Sequence, residues 1–363
     1  MMEKKGAPLL FLTFNKHEQS SLSDAMTDKR DCCNDELGYK VTCGCFGNHY
    51  ITHYHCSEKG VNSILPVYRV LRNTKHSAVI MVGIACGANV KESNQSIGDV
   101  LLCDKVMSAV GWRIGKQTRI PRDANPSCGD KLKELFSGEA YSWNGCKNEL
   151  GIDAVVHIGS IISGSSLLDN VVEKRNIFKR FYNEPIGYEM EGYALVLVCT
   201  DREVHTGEWL IVKGISDWGD GNKNSQNTVK NQQLAAGNAV NFCLQVLSNR
   251  TFSDAATCDT TYYDPFENIE DSTAQALDLP NVCLNDSIDQ VKEPWMQEIV
   301  SYLKWLKDEK AMPMITSKTL TNYCSDNGIS EISKIFEYLL SAKYIRLSFS
   351  YDDIFLYLIM IGE

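Results

Sequence analysis

The sequence offers no apolar run long enough to cross a bilayer. The longest near its end, Ile354 to Ile361, has eight residues, whereas a spanning helix needs roughly 20. Behind Lys4 and Lys5, the stretch Leu9-Leu10-Phe11-Leu12 is too short for the apolar core of a leader and lacks a small-residue cleavage site. It reads as an opening β-strand. Neither the dinucleotide-binding glycine fingerprint nor a Walker pattern is found, which disfavours the nucleotide-binding folds built on those loops. No two cysteines show CxxC spacing, so the usual zinc-finger signatures are missing as well. Between Thr251 and Gln290 there is no Lys or Arg at all, against nine acids.

What is present fits a layered enzyme-sized chain. It has 363 residues, for which about two domains is the natural expectation. Hydrophobic residues make up 44%, enough for a sizeable core. The 14 cysteines are scattered, which reads as free thiols in a reducing compartment, hence a cytoplasmic location. Cys32, Cys33, Cys43, Cys45, His49, His53, His55 and Cys56 cluster in sequence. They fall on two alternating runs, Tyr39 to Cys45 and His49 to Cys56, joined through Phe46-Gly47-Asn48. That pattern predicts a hairpin, and no metal or other cofactor is expected. The net charge of −10 is unevenly spread: the first 250 residues carry 28 bases and 27 acids, and Val291 onward carries eight bases and ten acids.

Three regions follow. Residues 1–250 form an expected catalytic domain, 251–290 an acidic linker too poor in apolar periodicity to fold alone, and 291–363 a small module. In the first, strand-like runs (Leu9 to Phe14, Ser77 to Ile84, Val100 to Met107, Ile152 to Ile158, Trp209 to Ile215) alternate with helical ones. The helical runs are Asn62 to Asn73, Asn170 to Phe181, Glu191 to Asp201 and Gln226 to Leu247. Such alternation predicts an α/β fold with ligands at strand carboxyl ends. The last module reads as three helices (Glu293 to Lys307, Ser317 to Asn327, Glu331 to Ser341) and a hairpin over Tyr344 to Met360, a winged-helix shape. Its third helix and exit carry Lys334 and Lys343 against Glu331 and Glu337. Phosphate backbones need clustered cations, so nucleic acid is not the expected partner; a protein partner or self-association is.

Four segments combine acids or glycines with a strand end or helix entry. Phe14-Asn15-Lys16-His17-Glu18 follows the opening strand; its carboxylate could activate water or simply complement a helix dipole. Val82-Gly83-Ile84-Ala85-Cys86-Gly87-Ala88 could let backbone approach a ligand or make a tight turn. Gly187-Tyr188-Glu189-Met190-Glu191-Gly192 enters an apolar helix, where Glu191 could bind sugar hydroxyls or cap the helix. In Lys213-Gly214-Ile215-Ser216-Asp217-Trp218-Gly219-Asp220-Gly221, Asp217 could serve as an acid or shape a turn.

Taken in order, these segments resemble the signature segments of the nucleoside phosphorylase and nucleosidase superfamily, over roughly Leu9 to Leu247. Ile97-Gly98-Asp99-Val100 and Gly159-Ser160-Ile161-Ile162-Ser163-Gly164-Ser165 match family landmarks too. The nearest resemblance is to methylthioadenosine/S-adenosylhomocysteine nucleosidases and to related immune-effector nucleosidases. It implies the phosphorylase/hydrolase-like three-layer fold with a mixed sheet, often in a homo-oligomer. It also implies an adenine nucleoside or nucleotide substrate. By that pattern Asp217 would protonate or hydrogen-bond N7 of adenine, Glu191 would grip the ribose hydroxyls and Met190 would pack on the sugar. Glu18 would position the attacking water. Leu167 and Leu168 would lie near the base, where relatives often have an aromatic residue. Glu189, Ser216, Gly83, Gly87 and Ser163 complete the expected contacts.

The approach to the glycine loop, Ala78 to Val82, has no Arg to hold phosphate, which favours water over phosphate as nucleophile. Asn15 and Lys16 would stand near the 5′ group and suit phosphate better than a methylthio group; this points towards ATP, with Lys213 and Lys223 as further candidates or as solvated surface lysines. The run Asp217 to Lys223 resembles the immune-effector branch, which implies nucleotide depletion in defence. Alternatives on the same fold are a metabolic methylthioadenosine/S-adenosylhomocysteine nucleosidase, a phosphorolytic purine nucleoside phosphorylase and an inactive nucleotide sensor. A winged-helix regulator with a nucleoside-binding domain is a further one.

Overall fold

The structure is a computed structural model. It describes residues 6–34, 39–88, 94–109, 112–114, 119–121, 126–181, 184–200, 204, 206–222 and 227–258, and in the distal part 302, 314–316, 323, 345–349 and 354–358. The chain divides into two compact units, Met1–Ile269 and Glu270–Glu363.

The first unit is built on a nine-stranded mixed sheet. Its strands are β1 (Leu9–Thr13), β2 (Thr27–Asn34), β3 (Tyr39–Phe46), β4 (His49–His55), β5 (Ala78–Gly87), β6 (Val100–Ser108), β9 (Val156–Ser163), β10 (Gly187–Glu189) and β11 (Trp209–Asp217). A separate small hairpin pairs β7 (Trp112–Ile114) with β8 (Arg119–Pro121). The order across the large sheet is β10-β9-β6-β11-β5-β1-β4-β3-β2. β10 also pairs antiparallel with β5, Gly187 opposite Gly87 and Tyr188 opposite Cys86. Five strands, β5, β11, β6, β9 and β10, therefore close into a ring of hydrogen bonds, and the rest extends from it as an open wing.

Side-chain chemistry explains the layout. β1 and β5 run parallel to their neighbours and are apolar on both faces, as parallel strands covered on both sides must be; Leu9, Leu10, Phe11, Leu12, Ile80 and Met81 are fully buried. α6 (Thr228–Asn249) packs along β11, β5 and β6 and touches α1 (Lys16–Ala25) and α3 (Asp130–Ala140), while α2 (Ile64–Arg72) and α5 (Gly192–Cys199) pack on each other. The approach of α6 to β11 is so close that a Cβ on Gly214 would strike the Ala235 backbone. α4 (Val171–Phe178) is short, and Asn170 caps it by accepting from the amides of Val172 and Glu173. Among the described residues no helix is long and apolar enough to cross a membrane.

Most expected elements of this unit are found within a few residues of their predicted bounds. The strand expected from Ile152 starts at Val156 and runs to Ser163 because its pairing with β6 extends to Ser108 opposite Ser163; Ile152 and Val155 are instead exposed. β2 and α3 were not anticipated. β2 is a polar edge strand, TDKRDCCN, held by its ladder to β3 rather than by an apolar face. The hairpin between β3 and β4 is present, and among the described residues no metal-binding group of His, Cys, Asp or Glu occurs. Residues 251–258, read from sequence as the start of the linker, lie on this unit: Phe252, Ala255 and Ala256 are buried, and Ala255 bridges to Ala7.

In the second unit β12 (Met314–Thr316), β13 (Ile345–Phe349) and β14 (Ile354–Leu358) form an antiparallel sheet in the order β12-β14-β13. The Tyr302 and Tyr323 rings stack at 3.6 Å. The three helices expected over 293–307, 317–327 and 331–341 lie outside the described residues apart from those two tyrosines, and so does Lys223.

Candidate active site

Parallel β11, β5, β1 and β4 present their carboxyl ends at one edge of the sheet. A cavity of about 500 Å³ opens there. It is lined by Asn15, Lys16 and Glu18 from the start of α1, Glu189, Met190 and Glu191 from the β10–α5 junction, and Ser216 and Asp217 from the end of β11. Leu167 and Leu168 line it as well. Four segments far apart in sequence thus meet at one opening.

Glu18 is held by local geometry. Asn15 caps α1, and the Glu18 side chain reaches back in a capping box. Its Oε2 accepts from the amides of Phe14 (2.6 Å) and Asn15 (3.0 Å). Its Oε1 accepts from Ile84 N of β5 at 2.9 Å. Gly83 lies beneath this carboxylate; a Cβ there would collide with it. Gly83 therefore makes room for Glu18 and does not itself line the cavity.

At the β10–α5 junction the two acids divide the work. Glu189 accepts from the amides of Glu191 (2.9 Å) and Gly192 (2.9 and 2.8 Å), so it satisfies the start of α5. Glu191, though it occupies the cap position, makes no capping bond from its side chain. Among the described residues, its Oε1 accepts one hydrogen bond, from Gly60 N at 3.4 Å. Ser163 is fully buried, and its Oγ accepts from Tyr193 N at 2.8 Å. It supports α5 from behind the cavity.

Lys213 is neither a surface lysine nor a cavity-lining one. It is 0% exposed. Its Nζ sits 3.5 Å from Glu189 Oε2 and 3.7 Å from Glu191 Oε2, under the ring of Phe14. Burial opposes its charge, but Glu189, Glu191 and Glu18 outweigh this and hold it above the ordinary lysine value. Burial pushes Glu191 up to about 7; Lys213 pulls the other way, and Glu189 and Glu18 add to the rise.

Asp217 is oriented by Ser216 Oγ, which donates to Oδ2 (2.9 Å), and by Gly219 N, which donates to Oδ1 (3.0 Å). The loop behind it is pinned by Lys174 of α4, whose buried Nζ donates to Trp218 O and Gly87 O at 2.7 Å each. Gly87 thus serves as an anchoring carbonyl and not as a lining residue. The cavity also has a side the sequence reading missed: His55, the last residue of β4, with Ser57 and Lys59 just after it. No local signal marks them, because only the parallel pairing of β4 with β1 brings them beside Lys16 and His17.

Comparison with known proteins adds three findings. A family model described as the phosphorylase superfamily matches residues 38–248. No curated protein matches the chain. Among solved structures, 5′-methylthioadenosine/S-adenosylhomocysteine nucleosidase of Neisseria meningitidis, in complex with methylthio-immucillin-A, is similar at 18% identity and a TM-score of 0.54, covering 67% of this chain and 99% of its own. S-adenosylhomocysteine nucleosidase of Streptococcus pyogenes with 5-methylthiotubericidin gives 18%, 0.55, 69% and 100%. Futalosine hydrolase of Helicobacter pylori gives 19%, 0.54, 67% and 97%.

Proposed function

From the premise that this chain belongs to the phosphorylase superfamily, we propose that it hydrolyses the N-glycosidic bond of an adenine nucleoside or nucleotide and releases adenine. The observation that carries this reading is the meeting of Glu18, Glu191 and Asp217 around one cavity. Cleavage of an N-glycoside passes through an oxocarbenium-like state, so the site must help the base depart and stabilise the sugar. Asp217, held from both sides by Ser216 and Gly219, hydrogen-bonds or protonates N7 of the departing adenine. Glu191, spared from capping, accepts the ribose hydroxyls. Glu18 orients the attacking water, and Met190 packs against the sugar.

The geometry favours water over phosphate. Glu18 takes the Ile84 amide at the glycine segment, and its carboxylate stands where an incoming dianion would be repelled. The approach along Ala78 to Val82 is buried and apolar. The run Asp217 to Lys223 resembles immune-effector nucleosidases and supports a nucleotide-depleting defence role. The second unit would then regulate or assemble the enzyme.

The test is an assay of free adenine from adenosine, methylthioadenosine, AMP and ATP, with and without phosphate. Release that needs no phosphate is expected. Strict dependence on phosphate would replace hydrolysis by phosphorolysis, and no release from any member would sink the reading. For the defence role, expression in cells should lower ATP as adenine accumulates; a constant ATP pool would count against it.

A further inference from the structure

The cavity has a cationic and imidazole side that the three carboxylates leave unused. Lys16 and His17 come from the first turn of α1; His55 ends β4, and Ser57 and Lys59 follow it. The two groups are neighbours. Lys59 and Glu18 both act on the His55 imidazole, and Lys16 and Glu18 both act on that of His17. Glu58, between Ser57 and Lys59, does not line the cavity. Glu18, the carboxylate that acts on both imidazoles, already accepts three backbone amides.

Strand order gives this side its meaning. β11, β5, β1 and β4 are consecutive and parallel. Asp217 ends β11, Glu18 is bonded to Ile84 of β5 at the exit of β1, and His55 ends β4. From Asp217's strand to His55's is three inter-strand steps, about 14 Å at the usual spacing. A base at Asp217 with its ribose at Glu191 and Glu18 uses the first part of that span. The lining that such a base and ribose leave over lies at the exits of β1 and β4, where a 5′ substituent would reach. Two ammonium groups, a hydroxyl and two imidazoles there match phosphate oxygens in charge and donors. His55 Nδ1 already meets Thr13 Oγ1 at 3.1 Å, and a thioether would offer no acceptor to the two ammonium groups.

We propose that this end of the cavity is a phosphate subsite, formed by Lys16, His55, Ser57 and Lys59, and that the substrate is a 5′-phosphorylated adenine nucleoside. The proposal rests on the adenine-releasing reading and names the substrate class of that same site. Lys16 and Lys59 supply the charge, while Ser57 and His55 donate from the side. Both lysines are exposed at the rim, so their removal does not threaten the fold.

Binding and turnover test the two ideas separately. Calorimetry on the full chain, carrying D217N to halt turnover, compares AMP with adenosine at low and high salt. AMP should bind at least tenfold more tightly, with the advantage shrinking as salt screens the lysines. Adding K16A/K59A should weaken AMP at least tenfold more than it weakens adenosine. AMP bound no better than adenosine, or equal weakening of both, overturns the subsite. Adenine release by the unmodified chain reports on the parent reading. A phosphate preference in binding with no adenine from any substrate would retain the subsite and remove the glycosidase.

Discussion

At the residue scale, the site turns on what each carboxyl is free to do. Asp217 is oriented by Ser216 Oγ and Gly219 N, which suits a group that meets the leaving base. D217N should cut adenine release by about 10²–10⁴-fold, the usual worth of a positioned acid, while leaving the melting temperature nearly unchanged; unaltered turnover would refute its role. Glu191 makes a testable pH statement. Burial raises it to about 7, and the ionised form is the one that accepts ribose hydroxyls. The rate should therefore fall as pH drops through about 7. Lys213 restrains that rise, so removing its charge in K213M should move the acid limb to higher pH. The same change strands two buried carboxylates and should cost about 3–5 kcal/mol of stability. A limb that stays put in a folded K213M protein would show that the lysine does not act on Glu191.

At the element scale, short pieces do the positioning. β10 has only three residues, yet its double pairing with β9 and β5 delivers Glu189, Met190 and Glu191 to the cavity. β5 contributes Gly83, whose missing side chain leaves room for Glu18. G83A should push Glu18 aside and lower kcat about 10²-fold, the effect of a misplacement near 1 Å. Combining it with E18A should then add little, because the two changes act on one group. Full additivity in that double-mutant cycle would show that Gly83 acts otherwise. α5 illustrates a limit of sequence reading. An acid at its start is equally a cap or a ligand, and only the bonds from Glu189 to the Glu191 and Gly192 amides separate the two roles.

At the scale of the whole molecule, the acidic stretch without Lys or Arg is the natural boundary between the two units, and we propose it as their connector. It contains only two glutamates, Glu267 and Glu270. Limited digestion with a glutamate-specific protease should cut there first and leave an N-terminal fragment that still releases adenine. Early cuts scattered through the first unit would argue against a connector. The proposed self-association through the distal module can be read by light scattering before and after that cleavage: a loss of mass beyond the released fragment is expected.

Much of the first unit was legible because its signals are local. The unbroken apolar run of β5 and the helical spacing of Ala236, Val240, Cys243 and Leu247 in α6 report burial directly through side-chain type. β2 and α3 were hidden because their sequences are polar and owe their conformation to neighbours. The linker's apparent start at 251 misled because Phe252, Ala255 and Ala256 are few apolar groups in a polar run, and their burial depends on contact with distant residues such as Ala7. For the site, sequence by itself determined which residue types stand at strand ends and helix entries, since loops at carboxyl ends of parallel strands carry chemistry. The tertiary structure alone decided that Lys213 is buried against two glutamates, that Glu189 caps while Glu191 does not, and that His55, Ser57 and Lys59 share the cavity. Those outcomes depend on strand order and on which amides are left without partners, and neither quantity is encoded in any single stretch of chain.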